Sequence, residues 1–320
     1  MMTVLVLSAC AGKESGSSVE PVQVRIGSLK GPTTMGLLRM MALSDAEEIM
    51  EGVQYTFTMA TDASEILAGV AGGDYDIALV PANLASTIYQ KTEGGITVLD
   101  INTLGVLYMV SGDDTISSVE DLKGHTIYTT GKGQTPEYVL HYILEQNGMK
   151  EGDVTIEYKS EATEVAAVLA QDPTAVGMLP QPFVTVALAQ NESLKIVLDM
   201  TEEWEKIGGE NGSSLVTGVT IVRDTFLEEH PVAVALFMEE HKKSAEFAVS
   251  DVTTTASYVA ERGIIEKAPV AEKALPYCNI VYIDGDPMKQ ALSSYLEVLF
   301  EQDPSSVGGA LPGDDFYYSR

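Results

Sequence analysis

Positive charge is what this sequence has least of. Only 19 Lys and Arg stand against 47 Asp and Glu, a formal net charge of −28 over 320 residues. A surface so acidic repels nucleic acid and does not hold to anionic lipid by charge alone, which sets both partner classes aside. Histidine is scarce as well. The four residues, His125, His141, His230 and His241, are scattered and show no metal-ligand spacing. The catalytic signatures G-x-S-x-G, H-E-x-x-H and C-x-x-C are all missing. Gly131-Lys132-Gly133 is not a phosphate loop, because Thr126 stands where glycine is needed and Gly133 follows the lysine in place of Ser or Thr. No run is long and apolar enough to span a membrane. Acidic pairs such as Asp113-Asp114, Glu202-Glu203 and Glu239-Glu240 read as solvated faces.

What is present is a chain suited to two lobes, 45% hydrophobic and able to bury a substantial core. Its organising stretch runs from Ile26 to Leu38. Val22, Val24 and Ile26 alternate as in a half-buried strand, Lys30-Gly31-Pro32 breaks it, and Thr33 and Thr34 are candidate N-caps of a helix. Similar strand–helix units recur. Ile77 to Val80 is a continuous apolar strand ending at Pro81, with Asn83 placed to cap the next helix. His125 to Thr130 is followed by Gly131 to Pro136, with Thr135 as N-cap and Pro136 at the first helical position. Ala175 to Leu179 ends at Pro180-Gln181-Pro182. Two long apolar strands, 104–110 and 216–222, bracket the middle segment and are expected to cross between the lobes. Residues 200–214 are polar and glycine-rich and read as a mobile loop carrying the only tryptophan, Trp204. Helices dominate after residue 222, and the tail from Asp303 reads as irregular.

The two cysteines differ. Cys278 lies in an apolar setting with no nearby histidine and reads as an inert buried thiol. Cys10 follows Val4 to Leu7 and Ser8-Ala9, and precedes a Gly/Ser-rich stretch. This resembles the lipobox of bacterial lipoproteins, where the cysteine becomes the lipidated N-terminus. Nine residues precede it and none is basic, whereas the pattern carries a positive leader.

Four segments carry a wider resemblance: Gly72 to Pro81 (GGDYDIALVP), Ser118 to Ile127 (SVEDLKGHTI), Val176 to Phe183 (VGMLPQPF) and Val222 to Pro231 (VRDTFLEEHP). Over residues 24–300 the chain resembles the solute-binding proteins of bacterial ABC importers, and within them the sulfonate/nitrate/thiamine-precursor group. The resemblance implies an α/β, two-lobed type II periplasmic-binding fold with two hinge strands, its C-terminal helices returning to the first lobe. It divides the chain into a signal remnant, lipobox and tether (1–21), a first lobe (22–108 plus 219–320) and a second (109–218). Many relatives carry Glu before the second proline where this chain has Gln181, which leaves that wall neutral.

Four loops are expected to face the cleft: Lys30, Gly31, Pro32, Thr33 and Thr34; Pro81, Ala82 and Asn83; Gly131, Lys132, Gly133, Gln134 and Thr135; and Gln181. Helix N-termini there would favour an anionic or strongly accepting ligand. Tyr108, Phe183 and Trp204 are candidates to stack on a planar one; the alternative is core packing for Tyr108 and Phe183 and exposure for Trp204. Lys30 and Lys132 either face the cleft or point to water. The function expected is non-enzymatic capture of a small anionic or planar heterocyclic solute by hinge closure, and delivery to the transmembrane subunits of an ABC permease. The protein is expected to be a monomer, lipid-anchored through Cys10 on the outer face of the bacterial cytoplasmic membrane, with no cofactor or metal. The alternatives are an enzyme on the same fold, of pyrimidine- or menaquinone-pathway type, or a surface sensor domain.

Overall fold

The computed structural model describes residues 20–48, 52–208 and 214–319. Cys10 and most of the segment read as signal and tether lie outside them. In chain order come β1 (Val22–Leu29), α1 (Pro32–Met35), α2 (Leu38–Asp45), β2 (Val53–Ala60), α3 (Ala63–Gly72), β3 (Ile77–Pro81), α4 (Ala82–Lys91) and β4 (Ile96–Leu104). The middle of the chain holds β5 (Leu107–Ser111), β6 (Thr126–Thr129), α5 (Thr135–Gln146), β7 (Thr155–Tyr158), α6 (Ala162–Gln171), β8 (Val176–Pro180), α7 (Phe183–Gln190), β9 (Lys195–Asp199) and α8 (Met200–Gly208). The last third holds β10 (Val216–Arg223), α9 (Asp224–Glu229), α10 (Pro231–Ser250), α11 (Val252–Glu261), α12 (Ala268–Ala274), β11 (Ile280–Ile283) and α13 (Gly285–Gln302).

Two sheets result, one per lobe. The first has six strands in the order β11-β4-β10-β3-β1-β2, and the second has five in the order β7-β6-β8-β5-β9. β1 runs parallel to β2 and β3, while β10 is inserted antiparallel between β3 and β4. In the second sheet β5 is antiparallel to both β8 and β9. These insertions follow from the chain's two crossings, each of which delivers a strand running against its neighbours.

Continuous apolar runs are what a sheet covered on both faces requires. One face of the first sheet packs Val24, Ile26, Leu79 and Val222 against Phe237 of α10. The other packs Ala78, Val80, Val219 and Ile221 against Leu292 and Leu296 of α13. The C-terminal helices thus complete the first lobe.

Several expectations need correction. The apolar run 104–110 is two strands, because β4 ends at Leu104 and β5 starts at Leu107, with Gly105-Val106 as the crossing. The chain passes between the two sheets at 105–106 and before Val216. Residues 200–208 form a helix, since Met200 and Trp204 recur on one apolar face within a polar segment. β11 was not anticipated. The tail is anchored: Val98 bridges Tyr317, and the Tyr318 N–H donates to the Val98 carbonyl at 2.9 Å.

Candidate functional site

The two lobes face each other across the crossing at Gly105-Val106, where strands of both sheets end. On the first lobe β1 delivers Lys30 and Gly31. Gly31 takes φ +145° and is the N-cap of α1, with Pro32 in its first turn. Thr33 and Thr34 do not cap. Their hydroxyls donate back to the Leu29 carbonyl, at 3.0 and 2.6 Å, and both side chains are buried. Lys30 is exposed. At the end of β3, Pro81 is the N-cap of α4 and Ala82 is buried. Asn83 is not a cap either, and its amide donates to the Ser306 carbonyl at 3.3 Å.

A polar row lies beneath this edge. Gly218 of β10 is required there, because a Cβ would sit 2.3 Å from the Thr33 methyl and 2.5 Å from Asn102 Oδ1. The Asn102 amide donates to the Thr220 hydroxyl (3.2 Å), which donates to Asp100 (2.9 Å), whose other oxygen lies 3.3 Å from Nδ1 of His241 on α10. All four side chains are buried. These residues escaped the sequence reading, although the polar triplet Asp100, Asn102 and Thr103 inside an apolar strand was the available signal. These bonds offset the cost of burying the row, and His241 Nε2 alone of it has no partner among the described residues.

On the second lobe the loop Gly131 to Thr135 closes on itself. Gln134, not Thr135, is the N-cap of α5, with Thr135 and Pro136 inside the first turn. Lys132 is exposed with its ammonium 5.8 Å from the Tyr158 ring centre. The Glu137 carboxylate accepts from the Gly133 N–H and from the Tyr158 hydroxyl. Burial pushes that carboxyl up, but the two donors outweigh burial and hold it below the ordinary carboxylate range. Gln181 follows β8 through a cis peptide to Pro182 and is buried. Phe183 opens α7 and packs partly buried on the second-lobe core.

Both flanks of the junction are bridged. On one, the Tyr108 hydroxyl donates to the Tyr277 carbonyl (2.8 Å) and the Asn279 amide donates to the Gly105 carbonyl (2.5 Å). On the other, Tyr138 donates to Asp303 at 2.8 Å. Trp204 is fully buried there, its ring centre 4.4 Å from that of Tyr142 and 5.6 Å from that of Tyr295. Tyr108 and Trp204 are thus packed between the lobes. Grooves of about 550 Å³ between α5 and α13, and about 460 Å³ between α7 and the segment 273–277, flank the junction. Among the described residues no helix is long and apolar enough to cross a membrane.

Residues 50–253 match the family described as NMT1/THI5 like. No curated protein matches the sequence. The structure is similar to an ABC transporter structure from Parabacteroides distasonis, at TM-score 0.77 and 21% identity, covering 93% of this chain and 99% of that one. It is similar to the periplasmic aliphatic sulphonate binding protein SsuA from Escherichia coli (TM-score 0.71, 16% identity, 92% and 96% covered). A Candida albicans protein described as exhibiting the generic periplasmic binding protein fold aligns at TM-score 0.56 and 14% identity, with 92% of each chain covered.

Proposed function

The chain belongs to the NMT1/THI5-like family, and from that premise we propose that it is the solute-binding component of an ABC importer. The observation that carries this is the arrangement of its two sheets. Each collects a different part of the chain, two crossings join them, and β1, β3, β8 and β9 all end at the junction. In open α/β sheets ligands bind beyond the carboxyl ends of strands. A solute held there draws the lobes together through its greater affinity for the closed form.

We take the first lobe as residues 20–105 with 216–319, and the second as 106–215. Thr33, Asn102, Gly218, Gln181 and Thr201 form the floor in this reading, and the loops at Pro81–Asn83 and Gly131–Thr135 its rim. The protein works as a monomer, tethered through a lipid on Cys10 outside the cytoplasmic membrane, and hands its solute to permease transmembrane subunits. It does not turn the solute over.

The test is thermal unfolding of the full chain with nitrate, sulfonates, carboxylates and neutral heterocycles. A solute at a hundred times its Kd adds about 2.7 kcal/mol to stability. A shift with one class, with the solute recovered unchanged, is the expected result. Consumption of the solute would favour the enzyme reading, and the absence of any shift would remove the transport role.

A further inference from the structure

Gly105-Val106 is flanked by two buried side chains that each keep one polar atom unpaired. β8 and β9 are the two neighbours of β5. Leu107 pairs with Pro180, and Gln181 follows, its N–H donating to the Val106 carbonyl at 3.0 Å. Gln181 is 2% exposed. Its Oε1 accepts from the Thr185 hydroxyl (2.9 Å) and the Thr185 N–H (3.4 Å), while Nε2 has no partner among the described residues. On the other side Tyr108 pairs with Asp199, and Thr201 follows, 7% exposed. The Thr201 Oγ1 is likewise unpartnered, and a Cβ on Gly105 would lie 2.1 Å from it. Gln181 and Thr201 follow strands that lie two spacings, about 10 Å, apart. A side-chain amide fixed at one end by Thr185 leaves a donor that folding alone does not satisfy.

Among the described residues no lysine is buried at this floor: Lys30, Lys132, Lys206 and Lys273 are all exposed. Lys132 lies over Tyr158. Lys206 of α8 is paired with Glu203 at 2.7 Å. Carboxylates adjoin the floor at β9, while Lys273 lines the groove it shares with Thr185. Asp199 accepts the Thr201 N–H at 2.9 Å. Burial first, and then the negative charges of Asp199 and Glu202 among others, push the Tyr108 hydroxyl above its ordinary value.

Several helix-end donors that could hold an anion are taken. Gly133 donates to the chain's own Glu137 carboxylate, Thr185 N–H goes to Gln181, and the Thr33 and Thr34 hydroxyls turn to Leu29. A buried anion without a countercharge is strongly disfavoured.

We infer that the solute taken between the lobes carries no net negative charge and offers a hydrogen-bond acceptor to the Gln181 amide, an inference that rests on the solute-binding reading above. Sulfonates and nitrate are thereby excluded as cargo of this chain, and a neutral compound bearing a ring or amide carbonyl fits.

The test fractionates a bacterial small-molecule extract on a strong anion exchanger at neutral pH. The unretained and retained fractions are then added separately to the full chain, and thermal unfolding is followed. The expected result is an upward shift with the unretained fraction and none with the retained one. A shift with the retained fraction, alone or alongside the other, overturns the charge inference and leaves the solute reading standing. No shift with either overturns both.

Gln181→Leu is expected to lower the melting temperature of the unliganded protein, because Thr185 loses its acceptor, and, measured from that new baseline, to need at least tenfold more of the unretained fraction for the same shift. An unchanged titration overturns the role of Gln181. Should Gln181→Leu fail to fold, Gln181→Met serves in its place, with the same readout and the same overturning result.

Discussion

Asp76 shows how single residues fix the end of the sheet away from the solute junction. Its side chain is 3% exposed and accepts from the Arg25 backbone N–H (2.9 Å), from Arg25 Nε (2.9 Å) and NH2 (2.6 Å), and from Arg223 NH2 (3.1 Å). Burial pushes this carboxyl up, but the hydrogen bonds from Arg25 and Arg223 outweigh it and hold it below the ordinary range. A folded-state pKa below the unfolded one stabilises at neutral pH, and that stabilisation is lost as the pH falls through about 4 and below. Asp76→Asn is therefore expected to cost about 2 kcal/mol at pH 7. It should also flatten the acid limb of the stability curve between about pH 4 and pH 2, measured by urea unfolding at each pH. An acid limb as steep as that of the wild type would remove Asp76 from this account. Cys278 makes the opposite case. Burial pushes its thiol up to about 12, so native protein should resist iodoacetamide at pH 8 and react only when unfolded.

At the scale of elements, the α/β alternation was legible because buried strands write themselves as continuous apolar runs, as at Ile77 to Val80 and Val176 to Leu179. What was not legible depended on partners distant in sequence. β11 has four residues, of which only Ile280 is fully buried, and it exists because β4 offers it an edge. α8 looked like a loop because its helical face is defined by Tyr142 and Tyr295, which the local sequence does not contain. Thr33 and Thr34 had the chemistry of caps but found the Leu29 carbonyl first. Lys30 and Lys132 were notable for their rarity, yet neither is buried at the junction. The crossing glycine was hidden in an apolar run. At Gly105 an added Cβ would meet Thr201 Oγ1 at 2.1 Å and Leu215 at 2.7 Å, so a neighbour must shift. Gly105→Ala is expected to lower stability by about 1–3 kcal/mol. Combining it with Thr201→Ala should restore part of that loss in a double-mutant cycle. Strict additivity of the two losses would count against the contact.

Across the whole molecule, the α5–α13 flank acts as a latch between lobes. The Tyr138–Asp303 bond and the Tyr142–Trp204–Tyr295 stack both cross it. A net hydrogen bond of about 1 kcal/mol alters a closed-to-open ratio about fivefold. Tyr138→Phe together with Tyr295→Ala should therefore raise the radius of gyration in X-ray scattering. It should also shift the emission of the only tryptophan to the red. Trp204 emission that stays blue would mean the flank does not hold the lobes together.

The place of β10 in the first sheet has a further consequence, for the order in which the nascent chain can settle. The strand that separates β3 from β4 is not synthesised until residues 216–223. The second sheet, β5 to β9, is by then complete in a single unbroken stretch. A ribosome therefore makes a first lobe that lacks its central strand until late in synthesis. Until β10 arrives, the edges of β3 and β4 that it joins lack that partner.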